Sequence, residues 1–251
     1  MKFVGIIPAR YASSRFPGKP LADIGGKPMI QRVYEQVSTL LDEVYVATDD
    51  ERIFQAVQAF SGRVIMTSSS HRSGTDRCAE AMTKIPDQDF DVVINIQGDE
   101  PFVEASQLQS LMACFDKEDT QIATLVKPFS KEDGCKVLAN PNSPKVVLNL
   151  QGEALYFSRS VVPYLRNIPQ EEWLDHHVFY KHIGIYAYRK DVLKQLATLE
   201  PTPLEKAESL EQLRWIENNY RIQTAVTYVE NVAVDTPEDL DLCLTELARR
   251  K

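Results

Sequence analysis

The chain has 251 residues, 43% of them hydrophobic and 25% charged, with a formal net charge of −8. That composition supports a sizeable globular core, and the acidic balance excludes a protein that works by clamping nucleic acid or anionic lipid. No apolar run approaches a membrane span, the four cysteines form no CxxC pair, and residues 1–4 lead straight into an apolar stretch, so a reduced, cytoplasmic protein without a leader is expected.

In chain order, apolar runs predict strands at 3–8, 43–48, 63–67 and 91–97. Periodic apolar stripes predict helices at 28–40, 50–60, 75–85 and 104–116. Such alternation with short connections predicts a parallel sheet covered by helices on both faces. The rhythm changes after about residue 120. Runs at 121–129, 145–150 and 178–189 read as longer strands with no helix between them, 141–144 as a turn and 163–176 as irregular. Helices return at 190–199 and 204–218, followed by a strand at 222–229 and a last helix from about Pro237. The expectation is an α/β fold: one domain over 1–251 with a Rossmann-like, mostly parallel sheet and an antiparallel insertion at about 125–188.

The most informative stretch is Pro8-Ala9-Arg10-Tyr11-Ala12-Ser13-Ser14-Arg15-Phe16-Pro17-Gly18-Lys19, directly after the first strand. Residues 1–30 carry a charge of +4, so the remaining 221 carry −12. A compact cationic loop at the carboxyl end of a parallel strand suits a small polyanion such as a nucleotide triphosphate. Arg10 and Arg15 offer forked donors and Lys19 a point charge. The alternative is a solvated loop that caps helix ends. Neither GxxxxGK[ST] nor GxGxxG occurs, which argues against a P-loop ATPase or a classical dehydrogenase.

Gln97-Gly98-Asp99-Glu100-Pro101 follows the central strand, where Asp99 reads either as a Mg²⁺ ligand beside phosphates or as a cap for the next helix. Asp89-Phe90-Asp91 has the spacing of metal-dependent glycosyltransferases but precedes the strand, at the wrong end. Ser73-Gly74-Thr75-Asp76-Arg77 opens a helix whose backbone N–H groups could hold a base, ribose or phosphate. Thr236-Pro237-Glu238-Asp239 is a helix start, with Thr236 as cap, which leaves Asp235 as a turn residue or a ligand. Alternation along 182–188 places His182, Gly184, Tyr186 and Tyr188 on one face, with a notch at Gly184, and an ordinary polar row fits as well. In 204–217 the stripe is Leu204, Ala207, Leu210 and Leu213, and periodicity does not choose between Glu208 and Glu211 at its edge.

These segments, together with His71-Arg72, Tyr156-Phe157-Ser158-Arg159 and Leu210-Glu211-Gln212-Leu213-Arg214, run in order over nearly the whole chain. They closely resemble the sugar-acid cytidylyltransferases, and the later ones resemble the group that activates 3-deoxy-manno-octulosonate (Kdo). The resemblance implies the nucleotide-diphospho-sugar transferase type of fold, a homodimer formed through the insertion, and CTP and Kdo as substrates giving CMP-Kdo and diphosphate for lipopolysaccharide synthesis. By family position, Ala9, Arg10, Arg15, Lys19, Ser73, Gly74, Arg77 and Gln97 would contact CTP, and Asp99 and Asp235 would hold Mg²⁺. Arg159, His182, Tyr186, Glu211 and Gln212 would line the sugar-acid pocket. Arg10, Lys19, Asp99 and Asp235 would carry the catalysis, in which the anomeric hydroxyl attacks the α-phosphorus in line. Ser14, Phe16 and Asp76 stand where Thr, Leu and Glu are usual, and a close variant such as 8-amino-Kdo is left open. A nucleotide-sensing protein on the same fold has less need of two metal-binding carboxylates.

Overall fold

The structure is a computed structural model and describes residues 1–12, 16–229, 234 and 236–249. It divides into two compact units: residues 1–108, 189–197 and 230–251, and residues 109–188 with 198–229.

The first unit opens with β1 (Phe3–Ala9), α1 (Met29–Ser38), β2 (Val44–Thr48), α2 (Glu51–Ala59), β3 (Val64–Met66), α3 (Gly74–Lys84), β4 (Val92–Asn95) and then α4 (Ala105–Ala113), which runs past its boundary. β1 lies between β2 and β4, β3 flanks β2, and every pairing is parallel. All four residues of β4 are buried, the burial that a near-continuous apolar run anticipates. α1 buries Met29, Ile30, Val33 and Val37, one face at helical spacing. Asp50 caps α2 by accepting from Arg52 N, and Ser73 caps α3 by accepting from Asp76 N.

The second unit holds β5 (Ile122–Pro128), α5 (Gly134–Leu138), β6 (Lys145–Leu148), β7 (Ala154–Ser158), α6 (Trp173–His176) and β8 (Tyr180–Arg189, whose last residue belongs to the first unit). After α7 (Lys190–Leu196, first unit) come α8 (Pro203–Glu208), α9 (Gln212–Glu217) and β9 (Ile222–Val226). β5 pairs antiparallel with β8 and parallel with β9, and β6 pairs antiparallel with both β7 and β8. The chain ends in the first unit with α10 (Asp239–Arg249).

Several expectations are corrected. A helix, α5, does separate two of the later strands. Residues 163–176 are not wholly irregular, because a 3₁₀ turn at Gln170–Glu172 leads into α6, where Trp173 packs against Leu138 and Phe179. The helix predicted over 204–218 is two helices. Ser209 adopts a left-handed backbone at φ 51° and ends α8, which leaves Ala207 exposed while Leu210 and Leu213 are buried. Arg214 then ties α9 back to α8 through Glu205, at 2.5 and 2.7 Å. The strand at 222–229 stops at Val226, and the last helix starts at Asp239, whose carboxylate accepts from Thr236 N and Oγ1. Among the described residues no helix is long and apolar enough to cross a membrane.

Candidate functional site

In a parallel sheet every strand ends on the same side, so the loops after β1, β3 and β4 converge. They enclose a cleft of about 280 Å³ in the first unit, lined by Ala9, Arg10, Lys19, Ser73, Gly74, Arg77, Gln97 and Asp99, with Pro8, Pro20, His71, Arg72 and Gly98 completing it. Eight residues predicted for nucleotide or metal binding are thereby brought together. Arg15 and Asp235, predicted for the same site, lie outside the described residues.

The loop after β1 closes on itself. Gly18 adopts φ 73° and donates its N–H to Tyr11 O at 2.9 Å, a conformation that favours glycine. The Arg52 guanidinium stacks on the Tyr11 ring at 3.3 Å. Below the loop, Phe16 packs on a buried cluster of Ile24, Met29, Phe102, Val234 and Cys243. That cluster anchors both the segment carrying Lys19 and the segment following Asp99.

Asp99 does not cap a helix. Its carboxylate accepts from Lys19 Nζ at 2.6 Å, its carbonyl accepts from Val234 N at 3.0 Å, and α4 begins six residues later. Gly98 sets the floor, because a Cβ there would stand 3.0 Å from Pro8 O. Arg77 is buried, donating to Thr67 Oγ1 at 2.6 Å and pairing with Asp49 at 3.1 Å. It therefore braces the exits of β2 and β3 as well as lining the cleft. Asp89 and Asp91 bind the Lys2 side chain and the Lys2 N–H, at the opposite strand ends.

Sequence reasoning missed Glu80. It lies on α3, accepts from Ser68 N at 2.9 Å, and contacts His71 and Lys84. Burial pushes its carboxyl up, but Lys84, the Ser68 amide and His71 outweigh that and hold it at about 2. This anion fixes the wall of the cleft that carries His71 and Arg72. An acidic residue inside a helix gives no sequence signal for that task.

The predicted sugar-acid residues gather in the second unit. Arg159, just past β7, donates from Nε to Glu208 O at 2.6 Å, from Nη1 to Pro141 O at 2.9 Å and from Nη2 to Ser209 O at 3.2 Å. Its guanidinium is thus oriented by main-chain carbonyls. The Glu208 carboxylate accepts from Ser158 Oγ and Arg159 N, at 2.7 and 2.9 Å. Glu208, which periodicity could not separate from Glu211, holds Arg159 through both its carbonyl and its carboxylate, alongside the Pro141 and Ser209 carbonyls. On β8 the His182 ring lies 5.2 Å from both Phe157 and Tyr186, and Tyr186 stands edge-on to Trp215 at 5.0 Å. Burial pushes His182 down to about 3. Burial, then Tyr188 and Glu211, hold the Tyr186 phenol well above its ordinary value. Both rings are therefore neutral at pH 7. Tyr186 Oη and Gln212 Nε2 are buried and make no hydrogen bond among the described residues. A Cβ at Gly184 would meet nothing within 4 Å, so the notch is open.

Comparisons with known proteins identify the family. The profile of a family described as Cytidylyltransferase matches residues 4–222. A 3-deoxy-manno-octulosonate cytidylyltransferase of Phocaeicola vulgatus is 63% identical over 240 residues, 96% of this chain and 95% of its own. That of Parabacteroides distasonis is 61% identical over 251 residues, covering both chains fully. Among solved structures, a CMP:2-keto-3-deoxy-manno-octonic acid synthetase complexed with CTP superposes with a TM-score of 0.90 at 44% identity over 100% of both chains. A 4-diphosphocytidyl-2C-methyl-D-erythritol synthase from Anaerococcus prevotii, 14% identical with a TM-score of 0.62 over 99% of both chains, shares the fold.

Proposed function

The chain belongs to the cytidylyltransferase family, and from that premise we propose that it activates 3-deoxy-manno-octulosonate for lipopolysaccharide synthesis, converting it with CTP into CMP-Kdo and diphosphate. The observation that carries the reading is one cleft that gathers Arg10, Lys19, Ser73, Gly74, Gln97 and Asp99, in a chain 44% identical over its length to a synthetase complexed with CTP.

The α3 N-terminus and the Ser73–Gly74 backbone donate N–H groups to phosphate or ribose oxygens. Arg10 and Lys19 neutralise charge building on the departing diphosphate, as in-line phosphoryl chemistry demands. Lys19 reaches Asp99 here and exchanges that carboxylate for phosphate oxygens when CTP arrives. Asp99 offers the hard oxygen that Mg²⁺ prefers and would hold the ion together with Asp235, its proposed second ligand. When bound, Mg²⁺ supplies a Lewis acid that lowers the pKa of the attacking hydroxyl. Arg159 takes the substrate carboxylate, and His182, Tyr186, Glu211 and Gln212 take its hydroxyls, Gln212 with a buried amide donor still to satisfy.

The homodimer is proposed through residues 125–188, where Leu150, Leu155, Tyr164 and Val178 are exposed. Light scattering should give twice the mass of the 251-residue chain. A CTP-consuming reaction supports a cytoplasmic location.

Diphosphate release from purified protein with Mg²⁺, across CTP, UTP, ATP and GTP against Kdo, 8-amino-Kdo and sialic acid, tests the activity. Release with CTP and Kdo is expected. Release with another acid alone would move the pocket assignment, and no release from folded, CTP-binding protein would overturn the enzyme.

A further inference from the structure

Thr124 is fully buried in β5 and faces Tyr186 across the ladder with β8. The next pair is Leu125 with Ile183, so two extra residues of β8 bulge at this point. Bulges of this kind re-aim side chains. Thr124 Oγ1 lies 2.9 Å from Ile185 O, 3.2 Å from Ile183 O and 3.2 Å from His182 Nε2. A hydroxyl has one proton and two lone pairs, and carbonyl oxygens only accept. The proton therefore goes to the bulge carbonyls. The contact with the imidazole is then closed by an N–H on Nε2 donating to Thr124 Oγ1, and a neutral ring protonated at Nε2 carries its lone pair on Nδ1.

We infer that Thr124 is a positioning residue that fixes His182 as the Nε2–H tautomer, so that His182 recognises the sugar acid by accepting a hydrogen bond from one of its hydroxyls at Nδ1. This rests on the proposal that His182 lines the sugar-acid pocket. It divides the recognition chemically. Arg159 answers the carboxylate, while His182 repels an acceptor and demands a donor, so an analogue lacking that hydroxyl leaves the lone pair unmet. The second hydrogen bond of an imidazole sets the chemistry of the first.

Ring spectra of ¹⁵N-histidine-labelled protein, with His182 assigned by loss of its signals in His182→Asn, read the tautomer directly. Wild type should show a protonated-type nitrogen at Nε2 and an unprotonated one at Nδ1. Thr124→Val should mix the tautomers and raise KM for Kdo about tenfold, the loss of one neutral hydrogen bond, with KM for CTP within about twofold. Thr124→Ser should restore both, and Thr124→Ala replaces the valine variant if that disturbs the bulge. Protonation at Nδ1 in wild type overturns the inference, as does a Thr124→Val protein with unchanged spectrum and KM. An unchanged KM for Kdo in His182→Asn overturns the pocket assignment itself, while the spectra still report whether Thr124 holds the ring.

Discussion

At the residue scale, the proposed function divides the chemistry between Asp99 and Arg159. Asp99 is held by Lys19, and its proposed task is to hold the metal that the transition state needs. Asp99→Asn should lower kcat at least about a hundredfold while the Kd for CTP, measured by calorimetry, changes less than about threefold. Arg159 is oriented by Glu208, Ser209 and Pro141 carbonyls, so Arg159→Ala should raise KM for Kdo at least about tenfold and leave that for CTP nearly unchanged. The reverse pattern in steady-state kinetics would mean that the two pockets are misassigned. The cationic loop and the glycine-bearing strand ends were legible from charge and spacing, while the assignment of individual cleft residues came from the family resemblance. Glu208 and Thr124 were not legible, because one looks like surface charge at a helix edge and the other like any β-branched strand residue.

Elements position these groups through a few unassuming contacts. Glu80→Gln would cut the charge that binds His71 and Lys84, so the wall carrying His71 and Arg72 should loosen. KM for CTP should rise roughly threefold to tenfold, with KM for Kdo unmoved. Ser209 ends α8 in a left-handed turn, whose strain glycine relieves and valine worsens. Ser209→Gly should match or exceed wild-type stability by up to about 1 kcal/mol in urea melts, and Ser209→Val should lose about 1–2 kcal/mol. This break was invisible in the sequence because nothing in Glu208-Ser209-Leu210 is Gly or Pro, and an i+3 stripe continues across it. β7 was missed as a strand because five residues with a half-exposed pattern give periodicity little to act on. The β1–β4 alternation was read within a residue or two, since mostly buried strands and amphipathic helices such as α1 announce themselves through composition.

For the whole molecule, the buried and paired titratable groups set the response to acid. His182 has a folded pKa of about 3, below its unfolded value of about 6.5. The unfolded chain therefore binds the proton first, and stability falls as pH drops through 6.5 toward 3. Between pH 7 and pH 5 this group alone therefore lowers stability. Glu80, held at about 2, contributes stability above its unfolded pKa and loses it as pH falls from about 4.5 toward 2. Thermal melts should therefore show a decline that begins near pH 6.5 and steepens below 4.5. His182→Asn should flatten the first part only. If the variant and wild type decline in parallel between pH 7 and 5, His182 is not buried neutral.

The near-contact of Gly98 with Pro8 O, 3.0 Å from where a methyl group would stand, also limits how the protein can change. The residues that follow two neighbouring strands already meet closely there, and the β1–β4 ladder just before them limits how far they can part. A library randomised at 98 should return glycine alone among active clones. One randomised at 71 and 72 should return variety. Selection for a different or bulkier nucleotide has only the walls to remodel, so any shift in base preference along this lineage would be recorded in the loop after β3 and never in the floor.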